Sequence, residues 1–232
     1  MSRIGYKIIY SRRRSVSISV SPHNGVIVRA PLKIPQNRID KFVEEKSSWI
    51  LKHLGKFSGS VLVNAGKKFT GGELHYYKGR QYTLLLIFSP KPYVRITGNE
   101  VEAGLPTPDD PKKVKAMLEK WYLEEARREL SEKFGQVLEK FSSHGFKPSS
   151  LSLRATRSRL GSCSSKGRIM LSSELIKLDE KFHEYIIVHE LCHLKHHNHG
   201  KGFYTLLEEL QPDYREIRKE LKRYVLTTPN SV

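Results

Sequence analysis

The segment His189-Glu190-Leu191-Cys192-His193 limits what this chain can fold into more than any other stretch. Residues four apart on a helix stand one turn above each other, so two imidazoles can reach one ion from a rigid face. Glu190 is turned by ~100° from His189, within reach of a metal-bound water but badly placed to ligate. Phe182, Tyr185, Ile186 and Val188 precede the motif, Leu191 and Leu194 punctuate it, and no Pro or Gly interrupts it. The spacing predicts a helix from about Asp179 to His196, stopped by Asn198, His199 and Gly200. Its apolar neighbours bury it, and burying two His and a Glu without a partner is costly. The pattern therefore points to one divalent ion per chain, zinc first and another divalent metal as the alternative, with Glu190 as general base.

A tetrahedral ion needs ligands that converge from different directions. His196, on the same stripe as His189 and His193 if the helix continues, is poorly suited, and His196 and His197 read as solvated or supporting residues. His199 lies between Asn198 and Gly200, which tolerate the backbone of a tight return, and is the favoured third ligand. Glu208 or Glu209 on the next helical segment is the alternative. Tyr204 and Tyr214 are candidates for stabilising an oxyanion.

Upstream, Val16, Ile18 and Val20 alternate with serines as in a half-buried strand. Asn24-Gly25 is a hairpin signal, and Val26–Val28 reads as the returning strand. An amphipathic helix carries Ile39, Phe42, Val43, Ile50 and Leu54 to Gly55. Strands are expected at Glu73–Tyr77, Arg80–Phe88 (after a Lys78-Gly79 turn), Tyr93–Thr97 and Val101–Leu105. Pro106 to Pro111 forms the expected boundary, with Asp109 or Asp110 capping a scaffold helix that ends near Gly145. Leu151–Ala155 and Arg168–Leu171 read as paired strands. Short helices are expected at Phe203–Leu210 and Asp213–Tyr224. The organisation is thus a sheet-rich N-terminal domain with one helix over residues 1–105, then a catalytic domain over 110–226.

The longest apolar run, Leu84–Phe88, is strand-sized, far below the ~20 residues of a membrane span. The N-terminus lacks the order of a signal peptide, and Cys163 and Cys192 offer no disulfide framework, so a cytoplasmic protein is expected. Forty-one Lys and Arg against 24 acids give a net charge of +17. No acid lies between Glu139 and Glu174, where Arg154, Arg157, Arg159, Lys166 and Arg168 cluster. A field of this sign attracts phosphates, nucleic acid or acidic peptides, so an anionic small molecule and a nucleic acid are both expected as possible partners.

The stretch Arg159-Leu160-Gly161-Ser162-Cys163-Ser164-Ser165-Lys166-Gly167, together with Val188–Leu194, His199-Gly200 and Phe203, resembles the YgjP-like metal-dependent hydrolases, kin of the SprT-like and WLM zincins. Ala30-Pro31 and Trp49-Ile50 extend the resemblance over nearly the whole chain. Leu160 stands where that family usually has Trp. The resemblance implies His189, His193 and His199 as ligands and Glu190 as base. It also implies an α+β, zincin-like metallopeptidase fold (long scaffold helix, small sheet, motif helix) in which a sheet edge runs above the metal helix. Arg168–Leu171 or Gly161–Ser165 would supply that edge. Gly161 and Ser162 then become candidate substrate residues, with Arg154, Arg157 and Arg159. An edge with free backbone donors suits an extended peptide, and the arginines suit a phosphate-bearing substrate. The leading function is a zinc metallopeptidase with Glu190 as base, and the alternatives are a metal-dependent phosphohydrolase of a nucleotide or other anion and a nucleic-acid-associated protease.

Overall fold

The structure is a computed structural model that describes residues 4–21, 25–56, 61–63, 67–156 and 159–225. Its first sheet joins β1 (Tyr6–Ser11), β2 (Ser17–Ser21) and β3 (Gly25–Pro31) in the order β1-β3-β2. The serine–aliphatic alternation puts Val20 into the core, and β2 pairs antiparallel with β3 as the sequence suggests. Asn24 of the expected hairpin lies outside the described residues. The expected single helix is two, α1 (Gln36–Glu45) and α2 (Ser47–Lys56). The break falls at Lys46, whose φ of −96° and ψ of 6° take it out of the helical region between Glu45 and Ser47. Val20, Val26, Val28, Ala30, Ile39, Val43 and Ile50 form the core of this part.

Beyond the short β4 (Val61–Leu62), a four-stranded sheet contains β5 (Leu74–Tyr77), β6 (Arg80–Phe88), β7 (Tyr93–Thr97) and β8 (Glu100–Leu105), ordered β5-β6-β8-β7. Lys78 and Gly79 make the β5–β6 turn with φ of 47° and 77°. Their N–H groups donate to the carbonyls of Ile176 and Lys177, which ties this sheet to the C-terminal half. The scaffold helix α3 spans Pro111–Lys140, with the Asp110 carboxylate capping the N–H groups of Lys112 and Lys113. Leu105 before the proline segment and Val114 after it belong to one buried cluster.

A second three-stranded sheet contains β9 (Ser150–Arg154), β10 (Gly161–Cys163) and β11 (Arg168–Ser172), ordered β10-β11-β9. The two strands expected to pair do so, in parallel, and β10 is an additional edge strand antiparallel to β11. A 3₁₀ segment, Ser173–Lys177, leads into the motif helix α4 (Glu180–Cys192). The chain continues as α5 (Lys201–Leu210), α6 (Tyr214–Leu221) and β12 (Tyr224–Val225), which pairs with β4. Phe182, Ile187, Val188 and Leu191 of α4 are fully buried, each contributing roughly 1.5–3 kcal/mol. This apolar load holds the motif rigidly between α3 and the second sheet. The architecture is α+β and zincin-like. Among the described residues no helix is long and apolar enough to cross a membrane.

Candidate metal centre

The motif helix ends earlier than its sequence suggests. Cys192 is its last residue, His193 is its C-cap, and the Cys192 carbonyl receives the N–H groups of both Lys195 and His196. The tight turn turns His196 off the His189–His193 stripe and towards Gly202. It also brings the His196 carbonyl 3.1 Å from Nδ1 of His193. A carbonyl can only accept, so Nδ1 carries the proton and Nε2 keeps its lone pair for an ion.

The turn returns His199 to the helix. Nε2 of His199 lies 3.1 Å from Nε2 of His189, and one ligand atom each from His189, His193 and His199 falls within 4.8 Å of the others. Two zinc–nitrogen bonds of about 2.0–2.1 Å at a tetrahedral angle separate their nitrogens by roughly 3.4 Å, so the cluster has the size zinc needs. Two ring nitrogens this close share either one proton in a hydrogen bond or one cation between their lone pairs. The three ring centroids lie 5.0, 5.0 and 4.7 Å apart. Burial, and then the neighbouring imidazoles, push the His189 pKa down to about 3, and burial and His193 lower that of His199. Both rings are therefore held in the neutral form that ligates. Glu208 and Glu209 point elsewhere: Glu208 pairs with Arg215 at 3.0 Å and Glu209 meets His144 at 3.1 Å.

Phe203 of α5 is the floor of the cluster. It is fully buried, and its ring centroid lies 5.0, 4.7 and 4.6 Å from those of His189, His193 and His199. Sequence periodicity marks it as apolar and gives no sign that it touches all three imidazoles. Cys192 is fully buried in the core, as a small apolar residue would be.

Glu190 is 5% exposed and its Oε2 has no hydrogen-bond partner among the described residues. Burial pushes its pKa up to about 8, with the charge of Arg159 pulling it back. It faces a cavity of about 430 Å³ whose wall includes Arg159, Gly161, Ser162, Cys163, His193 and His199. Gly161 and Ser162 thus lie on edge strand β10 beside the carboxylate, and Arg159 joins them. Arg154 does not: it ends β9, the strand on the far side of this sheet. Arg157 lies outside the described residues. Leu160, in place of the family's Trp, is buried and also reaches the cavity wall.

Comparison with known proteins adds three findings. The family model described as YgjP-like, metallopeptidase domain, matches residues 14–224. The UTP pyrophosphatase of Escherichia coli (strain K12) is 31% identical over 65 residues, which are 28% of this chain and 39% of that protein. The match thus spans well under half of the curated relative. The crystal structure of the metallopeptidase zymogen of Pyrococcus abyssi abylysin aligns with 45% of this chain and 98% of that one, at 25% identity and a TM-score of 0.35.

Proposed function

We propose that this chain, which belongs to the YgjP-like metallopeptidase-domain family, is a zinc-dependent hydrolase that acts on a phosphate-bearing anion, with Glu190 as its general base. That it is a metal-dependent hydrolase follows from the family. The observation that carries the finer reading is the company Glu190 keeps: three converging imidazoles on one side, and Arg159 in the wall of a cavity where Glu190 is the sole carboxylate among the described residues. When bound at His189, His193 and His199, zinc supplies a Lewis acid and lowers the pKa of water.

The chain's own residues do the rest. The His196 carbonyl fixes the His193 tautomer, and Phe203 holds the three rings in place. A cation held by the three imidazoles would favour the ionised form of Glu190 over the neutral form that burial favours, and the carboxylate then accepts the proton of the attacking water and returns it to the leaving group. Leu160 and Ile186 in the cavity wall limit the entry of bulk water. Arg159 offsets the charge of an anionic substrate. The Escherichia coli relative is a UTP pyrophosphatase, which agrees with a phosphoanhydride as the bond cleaved.

A second reading, a peptidase, is favoured by β10. It is an edge strand bordering the cavity, and an extended peptide could add to it by main-chain pairing. One experiment separates the two: the metal-loaded protein is assayed against nucleoside triphosphates and a peptide library, with Glu190→Gln as control. The expected result is phosphate release that Glu190→Gln lowers by about 10²–10⁴-fold at unchanged metal content. Peptide cleavage alone would favour the second reading, and turnover near the parent's in Glu190→Gln would remove this residue as the base.

A further inference from the structure

A second cavity, of about 470 Å³, is lined by Tyr204, Tyr214, Arg215, Arg218, Lys219 and Lys222. Rings connect it to the metal centre: the His199 and Tyr204 centroids are 6.2 Å apart, and Tyr204 stacks on Tyr214 at 6.2 Å and 22°. Every charged side chain in this wall is a cation. Arg215 is already engaged, donating to the Tyr214 hydroxyl at 3.2 Å and pairing with Glu208. Arg218 is not. Its side chain makes no hydrogen bond or ion pair among the described residues, and its Nε is buried without an acceptor.

Such an arrangement calls for an anion. Cations gathered around one concavity repel each other, and a buried guanidinium nitrogen without an acceptor forfeits a strong interaction. Two oxygens of a tetrahedral phosphate can take the paired N–H bonds of a planar guanidinium fork, and tyrosine hydroxyls can donate to the oxygens that remain.

We propose that the cavity walled by Tyr204, Tyr214 and Arg218 is a phosphate-binding subsite, with Arg218 as the principal contact and Lys219 and Lys222 as supporting charges. It would hold a phosphate group of the substrate remote from the bond being cleaved. Its role in turnover rests on the hydrolase reading above, whereas phosphate binding itself does not.

The test titrates inorganic phosphate into the metal-loaded full chain carrying Glu190→Gln, read by calorimetry and by the ring signals of Tyr214. Saturable binding that shifts Tyr214 is expected, weakened about tenfold or more by Arg218→Gln. Lys91→Gln, which removes a cation outside the cavity, should leave the affinity unchanged. Arg218→Lys keeps the charge, loses the fork, and should fall between, which guards against reading a folding defect as lost binding. Absence of binding, equal affinity in Arg218→Gln, or an unmoved Tyr214 signal would each overturn the proposal. If the parent chain instead proves to hydrolyse nothing, the hydrolase reading fails while the titration still decides the subsite.

Discussion

A Cβ built on Gly161 would lie 2.6 Å from Oε1 and 2.8 Å from Cγ of Glu190, so edge strand β10 and the candidate base share a space that only glycine leaves open. The strand cannot easily give way. Gly161 is in register with Leu171, and the Ser172 N–H donates to the Leu160 carbonyl at 2.8 Å. The carboxylate must yield instead.

Gly161→Ala is therefore expected to lower kcat by about 10- to 100-fold, the scale on which a misplacement near 1 Å is felt. Metal content should not change, because none of the three imidazoles borders position 161 as closely as Glu190 does. Steady-state kinetics beside metal analysis provide the check. A kcat equal to the parent's would mean that the carboxylate is not held where it acts.

His199→Ala should lose bound metal by at least tenfold in affinity, and His197→Ala should retain it, because only His199 has a ring nitrogen within reach of His189 and His193. His196→Ala is a sharper control. It removes an imidazole but keeps the backbone carbonyl that orients His193, so it too should retain metal. Competition with a chromogenic chelator measures all three. Equal affinities across the set would exclude His199 as a ligand.

The motif helix and the scaffold helix were legible because their signals are local: a fixed four-residue spacing, and a proline after a capping Asp110. The return of His199 could be argued from Asn198 and Gly200, which punctuate the chain just where it must turn. What remained hidden depends on contacts distant in sequence. β1 pairs in parallel with β3 across an intervening strand, and its burial pattern has no clean alternation to announce it. β10 is three residues long and exists as a strand only because β11 pairs with it. The early end of α4 follows from the carbonyl of Cys192 accepting two N–H groups, which no composition rule foretells. Arg154 and Arg159 look equivalent in an acid-free run, but the order β10-β11-β9 puts Arg154 at one edge of a sheet and Arg159, just before β10, at the other.

Acid should destabilise the fold through His75. This side chain is 4% exposed, and its Nε2 has no hydrogen-bond acceptor, with the Glu73 carboxylate 3.7 Å away. Burial, then the charge of Lys67, lower its pKa to about 4, with Lys177 adding to the effect and Glu73 opposing it. The unfolded residue titrates near 6.5, so between about pH 6.5 and pH 4 the unfolded chain binds the extra proton. Stability from this group is complete above about pH 6.5 and is lost as pH falls towards 4, on the order of 2–3 kcal/mol in all. Urea denaturation at pH 7 and pH 4.5 should show a smaller loss in His75→Leu than in the parent, whatever its absolute stability. Identical losses would show that His75 carries no such linkage.

The final expectation concerns the substrate's charge and sets the two arginines against each other. Arg159 lines the cavity beside Glu190 and its charge reaches that residue, whereas Arg154 is exposed at the end of the far strand. If the substrate is a phosphate-bearing anion, Arg159→Gln should raise KM about tenfold and flatten the salt dependence of kcat/KM, with metal content constant. Arg154→Gln removes the same formal charge and should do neither, because beyond about 10 Å an exposed charge is largely screened at 0.1 M salt. A peptide held by the backbone of β10 would be nearly indifferent to both changes. Kinetics for the two variants at several ionic strengths therefore separate a local contact from the protein's overall positive field. Equal effects from Arg154 and Arg159 would assign both to that field, and no effect from either would favour the peptidase reading.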